Sequence, residues 1–267
     1  MNIGFIGCGN MAQAIIGGII KSRYVSSENI IASNPSIGKL ELVKDKDNVK
    51  TTLQNIEVAK FSDIIILSVK PNKYAVVIEE IKDFIKPNVV IVSIAAGITI
   101  NFVEKAFGKN IKLARVMPNT PALVGEGMSA LSFNEYVGLE EKLEVIKIFE
   151  SFGKVETLDE SLMDAVPAIS GSSPAYVFMF IEALADGAVL SGIPRDKAYK
   201  MAAQSVLGAA KMVLETGKHP GELKDNVCSP GGTTIEAVYA LENNNFRGTI
   251  MTAMESCTAK AKKMSQK

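Results

Sequence analysis

Over residues 1–158 the sequence predicts an α/β fold, a doubly wound parallel sheet, and over residues 159–267 an all-helical domain that pairs with a second copy. Three observations predict it. Short β-branched runs alternate with helical patterns up to about Leu158, as in a sheet covered by helices on both faces. From Asp159 onward the strand signals vanish. A glycine loop, Gly7-Cys8-Gly9-Asn10-Met11-Ala12, closes the first run and opens the first helix.

The strands are expected at Asn2–Ile6, Ile30–Ala32, Ile64–Val69, Val89–Ile94 and Leu113–Val116. Helices fit between them, among them Ala12–Lys21, Tyr74–Phe84 and Leu139–Phe152. In the second half Pro174 and Pro194 stand where first helical turns would begin, and Gly192 and Gly217 where helices would stop. The helix from Pro174 to Ser191 is apolar almost all round, with Glu182 and Asp186 as its only charges. A domain of about a hundred residues does not readily bury such a helix alone. A homodimer packed through these helices is favoured over burial against the first domain.

Composition narrows the function. Apolar residues make up 47% and charged residues 22%, the balance of a soluble globular protein. The 29 basic residues match the 29 acidic ones, whereas a nucleic-acid or membrane-surface partner calls for a basic excess. Apolar runs such as Val89–Ile98 are too short to span a bilayer. Three scattered cysteines fit a reducing compartment, and with His219 the only histidine a usual zinc site lacks ligands. No basic segment precedes a cleavage site at the N-terminus, so a cytoplasmic protein is expected.

Gly7 to Ala12 is the G-x-G-x-x-A form of the dinucleotide fingerprint of a Rossmann-type domain. Its glycines permit the tight turn and close approach of a pyrophosphate, and the helix start supplies positive partial charge. The strand before it and the helix after it are the confirming context. The second strand then lacks the carboxylate that binds the 2′-OH of NAD: it continues Ser33-Asn34-Pro35-Ser36-Ile37-Gly38-Lys39. Ser33, Asn34 and Lys39 are therefore expected to receive a 2′-phosphate, favouring NADPH, with NADH possible. Two more loops leave strand ends in the ligand crevice, Ser68-Val69-Lys70-Pro71 and Ala95-Ala96-Gly97. Lys70 fits a cofactor-holding charge better than a catalytic acid.

Alcohol oxidation needs a group to carry the hydroxyl proton. His219 sits in a loop-like stretch before a proline, where a surface or capping role fits better. The β-hydroxyacid dehydrogenases share this two-domain plan and carry a lysine where this chain has Ala175. Reduction of a C=N bond demands less. A cyclic imine arrives protonated, so a hydride donor, a polar partner for nitrogen and rigid positioning suffice.

The late stretch Cys228-Ser229-Pro230-Gly231-Gly232-Thr233-Thr234 fits that chemistry. Two glycines free consecutive backbone N–H groups, the following helix adds its positive end, and two hydroxyls stand at the edge. Such a nest suits a carboxylate. An ordinary loop with a threonine cap is the bland alternative.

Together GFIGCGNMA, LSVKP, SIAAG, RVMPNTPALVGEG, ISGSSPAY and HPGELKDNVCSPGGTTIEA, in this order from residue 4 to 237, resemble the pyrroline-5-carboxylate reductases, the last enzymes of proline synthesis. The resemblance implies reduction of 1-pyrroline-5-carboxylate to L-proline by NADPH or NADH. It also implies a Rossmann domain, a helical C-terminal domain, and a dimer of intertwined helices that often builds larger rings. In such enzymes the SPGG-T-T loop holds the substrate carboxylate, which places Ser229, Gly231, Gly232, Thr233 and Thr234 on the substrate, with Thr234 orienting the imine nitrogen. The resemblance further implies Asn226 and Ala95–Gly97 beside the nicotinamide, Asn55 and Ser68–Pro71 on the ribose and phosphate side, and Glu160 on the substrate side. The family's S-G-S-G-P is here Ser170-Gly171-Ser172-Ser173-Pro174, with a serine for the second glycine. The nearest rivals are a reductase of six-membered or acyclic imines on the same scaffold and a non-catalytic dinucleotide sensor.

Overall fold

Runs of isoleucine and valine buried on both faces make the centre of the sheet in the computed structural model, which describes residues 1–265. In chain order the first part holds β1 (Ile3–Ile6), α1 (Asn10–Lys21), β2 (Ile30–Ser33), α2 (Ile37–Asp47), β3 (Lys50–Thr52), α3 (Asn55–Phe61), β4 (Ile64–Leu67), α4 (Tyr74–Ile81) and β5 (Val90–Ser93). It continues with α5 (Ile100–Phe107), β6 (Lys112–Met117), β7 (Gly127–Phe133), α6 (Leu139–Glu150) and β8 (Gly153–Thr157). The eight strands are ordered β3-β2-β1-β4-β5-β6-β7-β8. Every neighbouring pair is parallel except β6 and β7.

The five strands expected from sequence are present, with ends shifted by a residue or two. Three were missed. β3 is a short edge strand, β7 buries Ser129 and Ser132, and β8 exposes Lys154, Glu156 and Thr157. Their apolar signal is diluted, and the antiparallel β7 makes the sheet mixed rather than purely parallel.

Each sheet face has its own core. Phe5, Ile15, Ile16, Ile19, Phe149 and Phe152 pack on one side; Ile65, Tyr74, Ile78, Val103 and Phe107 pack on the other. Each fully buried Ile or Phe contributes about 1.5–3 kcal/mol over exposure, which anchors the strand ends that carry the loops.

The helical part comprises α7 (Ser173–Leu190), α8 (Arg195–Thr216), α9 (Pro220–Val227), α10 (Thr233–Asn243) and α11 (Phe246–Ser265). Gly192 (φ +89°) and Gly217 (φ +64°) lie where the sequence placed helix stops. α7 and α8 pack as a pair through small residues, with Ala185, Ala198 and Ala202 buried. Arg195 donates to Asp186 across the pair. By contrast Phe178, Met179, Leu190, Met201, Leu214, Tyr239 and Met251 are exposed on this chain.

The chain divides into one unit of Met1–Ser172 with Ser256–Lys267 and a second of Ser173–Glu255. This differs from the 158/159 cut expected from sequence. Residues 159–172 stay with the sheet because Glu160 and Asp164 both pair with Arg115 of β6, and the last turns of α11 join them through Ser265. The stretch Pro167–Leu190 is also long and apolar enough to cross a membrane, and it is largely unburied. Counting continuous apolar runs missed it, because serine, glycine, Glu182 and Asp186 interrupt the run without lowering the average much.

Candidate active site

In the first unit the cofactor-type loop is built from three strand ends. Gly7 leaves β1 with φ +95°, and a Cβ there would lie 2.7 Å from the carbonyl oxygen of Ser68. Glycine is required at this position both by conformation and by space. Ser68 donates its hydroxyl to the Gly7 carbonyl at 2.5 Å and reaches the Ile6 carbonyl at 3.2 Å, tying the β4 loop to the β1 loop. Gly9 caps α1 in extended backbone, and a Cβ there would meet nothing within 4 Å. Packing within the chain does not explain a glycine at position 9; space kept for a ligand does. The first turn of α1 carries no acidic residue, and Gly9 offers no capping side chain, so the positive helix end is uncompensated. The residues present fit a dinucleotide pyrophosphate.

Several expected cofactor residues have partners within the chain. Cys8 is buried and its thiol points to the carbonyl of Lys39 at 3.7 Å; burial raises its pKa to about 11. Its own N–H donates to Asn34 Oδ1 at 3.2 Å. Ser33 is fully buried, and its hydroxyl donates to Asn55 Oδ1 at 2.7 Å. That bond holds the Ser33 hydroxyl inside the fold. Both faces of β2 are covered, so its last residue is buried whichever face it takes. Asn55 in turn donates to Glu80 at 2.7 Å, so its amide braces the end of β2.

Ser36 lies just beyond Asn34. It is exposed at the N-cap of α2, makes no cap hydrogen bond, and heads a first turn with no acidic residue. Lys39 is exposed one turn further on, and Asn34 directs its amide to the Ser36 carbonyl at 3.2 Å. A serine directly before a helical run was the available signal.

The loops after β4 and β5 are held from beneath. Tyr74 is fully buried and donates to the Leu67 carbonyl at 2.7 Å, while Ser93 donates to Tyr74 at 3.2 Å. Burial holds the Tyr74 hydroxyl protonated, with its pKa near 12. Lys70 and Pro71 are exposed, and Val69 and Ala95–Gly97 are half-buried. Asn10 is exposed, Met11 half-buried and Ala12 buried against the strand.

Glu160 has structural partners. Its Oε1 accepts from the Ile100 N–H at 2.7 Å, at the start of α5, and from Arg115 Nη1 at 3.2 Å. These contacts tie Glu160 to the start of α5 and to β6.

In the second unit the late loop lies between α9 and α10. Gly231 has φ +66°, and the Gly232 N–H donates to the Ser229 carbonyl at 3.0 Å. Gly232 is the N-cap of α10 and has no capping side chain. Thr233 is exposed and Thr234 half-buried in the first turn. The turn thus presents main-chain donors and hydroxyls at a positive helix end, the chemistry a small carboxylate requires. Asn226 is exposed in the last turn of α9. His219 caps α9, its Nδ1 accepting from the Gly221 N–H at 3.0 Å, which is the capping role expected of it.

Comparison with known proteins accords with this chemistry. Residues 160–264 match the family model described as pyrroline-5-carboxylate reductase dimerisation, and residues 2–97 match NADP oxidoreductase coenzyme F420-dependent. The chain is 50% identical to a pyrroline-5-carboxylate reductase of Escherichia coli, covering 99% of this chain and 98% of that protein. It is 43% identical to one from Arabidopsis thaliana, covering 99% and 95%. Among solved structures, a pyrroline-5-carboxylate reductase from Coxiella burnetii superposes with TM-score 0.93 at 38% identity, covering 99% and 98%. The Plasmodium falciparum pyrroline carboxylate reductase with NADP bound gives TM-score 0.90 at 36% identity, covering 99% and 98%. With identity of this level over nearly its whole length, the chain belongs to the pyrroline-5-carboxylate reductase family.

Proposed function

We propose that this chain reduces 1-pyrroline-5-carboxylate to L-proline, the last step of proline biosynthesis, with NADPH as its reductant. The observation that carries this is the uncapped start of α10, a glycine turn with two hydroxyls, in a chain of this family. The α10 turn receives the substrate carboxylate through the N–H groups of its first turn, with Ser229 and Thr233 at the edge. Thr234 faces the ring nitrogen and orients the C=N bond. The Gly7–Ala12 loop and α1 hold the pyrophosphate, Asn34, Ser36 and Lys39 receive the 2′-phosphate, and Ser68–Pro71, Ala95–Gly97 and Asn226 line the ribose and nicotinamide side.

When bound, NADPH supplies the hydride. The substrate enters as a protonated imine, so its carbon accepts two electrons and one hydrogen while nitrogen keeps its proton. The product is the neutral secondary amine, and no protein acid is consumed. The chain's task is then to hold carboxylate, nitrogen and cofactor in one geometry, which supplies much of the rate.

The enzyme works as a homodimer through its helical part, and rings of dimers extend the same surface. The exposed apolar side chains of α7 and α8 support this, as does the description of the matching family model as a dimerisation domain. On this reading the apolar stretch Pro167–Leu190 faces a second copy, not lipid, and the enzyme is cytoplasmic.

The test is loss of NADPH absorbance when pyrroline-5-carboxylate is added to purified protein, with NADH in parallel. Rapid loss, faster with NADPH, is expected. No loss with either cofactor, in protein that binds NADPH, rejects the activity.

A further inference from the structure

The loop from Ala95 to Thr99 is gripped on two sides by parts of the chain distant in sequence. On one side, the end of α11 lies against Gly97: a Cβ at that position would stand 2.8 Å from Met264 Cβ and 3.1 Å from the Met264 carbonyl carbon. Gly97 has φ +77°, so glycine serves both the bend and the close approach. On the other side, the residue after the loop, Ile100, gives its N–H to Glu160 at 2.7 Å, and Thr99 accepts from the Phe102 N–H at 3.1 Å to cap α5.

The two sides are joined by one charged array. Ser265 donates to Asp164 Oδ1 at 2.7 Å, and the same oxygen accepts from Arg115 Nη2 at 2.6 Å. Arg115 Nη1 then reaches Glu160 at 3.2 Å. Arg115 is 6% exposed, so the guanidinium is held in a setting where paired geometry matters and a lost partner is costly. Charges placed this way fix the position of whatever they bind. Here they bind the start of α5 on one side and the last turn of α11 on the other.

We propose that Arg115, Asp164 and Ser265 act as positioning residues that set the 95–99 loop for the nicotinamide half of the cofactor, making the end of the last helix part of cofactor recognition. This rests on the functional assignment above, in which Ala95–Gly97 line the nicotinamide. The array touches neither the α1 loop nor the α2 start, so its loss acts on one half of the dinucleotide.

The experiment measures binding of NADPH and of adenosine 2′,5′-bisphosphate, which lacks nicotinamide, to the full chain and to Ser265→Ala, Ser265→Thr and Asp164→Asn. Loss of one hydrogen bond in Ser265→Ala is expected to raise the NADPH Kd about 3- to 10-fold. The bisphosphate Kd stays unchanged, and Ser265→Thr, which keeps the hydroxyl, restores NADPH binding. A merely structural role would weaken both ligands together. Equal loss for both, or an unchanged NADPH Kd in Ser265→Ala and Asp164→Asn, overturns the proposal. Failure of the unaltered chain to turn over pyrroline-5-carboxylate while it binds NADPH counts against the activity and leaves this binding comparison standing. Failure of the unaltered chain to bind NADPH overturns both.

Discussion

Ser33, fully buried at the end of β2, gives its hydroxyl to Asn55 across 2.7 Å. Ser33→Ala should therefore lower stability by about 1 kcal/mol, the worth of a buried hydrogen bond, and leave the NADPH-to-NADH ratio of kcat/KM unchanged. Ser36→Asp should lower that ratio by about 10-fold or more, since it sets a carboxylate beside the 2′-phosphate. Denaturant melts and parallel kinetics with both cofactors check the pair. A changed ratio in Ser33→Ala would contradict the buried orientation.

The two glycines of the fingerprint should fail in opposite ways. Gly7→Ala forces φ +95° on an alanine and drives its Cβ toward the Ser68 carbonyl, so it should cost about 1–3 kcal/mol of stability. Gly9→Ala meets no atom within 4 Å and should leave stability within about 0.5 kcal/mol while raising the NADPH Kd about 10-fold. Thermal melting and titration of cofactor binding separate the two. Retained NADPH affinity in Gly9→Ala would mean that no pyrophosphate approaches there.

Thr234→Ala should lower kcat/KM about 10- to 100-fold, as expected for one lost polar contact of about 1–3 kcal/mol, with cofactor affinity intact. Steady-state kinetics against pyrroline-5-carboxylate is the measurement. Unchanged kinetics would remove Thr234 from the mechanism.

Burial raises the Cys8 thiol pKa from 9.0 to about 11. Between those values the unfolded chain has released its proton and the folded chain has not. The folded state then binds more protons, so this group's contribution to stability falls as pH rises. Between pH 9 and about 11, Cys8→Ala should lose less stability than the unaltered chain, read from denaturant midpoints. An identical decline in both would show that the thiol ionises equally in the two states.

Phe178 is exposed on α7, 63% accessible in one chain. Phe178→Lys should shift the protein toward monomer and lower activity at micromolar concentration, with light scattering as the readout. A stable dimer in that variant would move the interface elsewhere on the helical part.

What the sequence disclosed follows from where its signals lie. β1, β2, β4, β5 and β6 announce themselves because both faces are buried and β-branched. β8 does not, because Lys154, Glu156 and Thr157 are exposed. The glycine loop and the SPGG turn are local patterns, legible from neighbouring residues alone. The burial of Ser33 against Asn55 and the grouping of Arg115, Glu160, Asp164 and Ser265 depend on partners 22 to 101 positions away. No local pattern records such partners.

The second unit buries little but alanine, and its large apolar side chains wait on the surface. A chain that associates through such a face is stabilised by its own concentration. Dilution alone should loosen α7 and α8, and crowding by its own copies should tighten them. Soon after synthesis, when few copies exist, each chain carries its stickiest face uncovered. The cell's supply of this protein thus governs how durable each molecule is as well as how many there are.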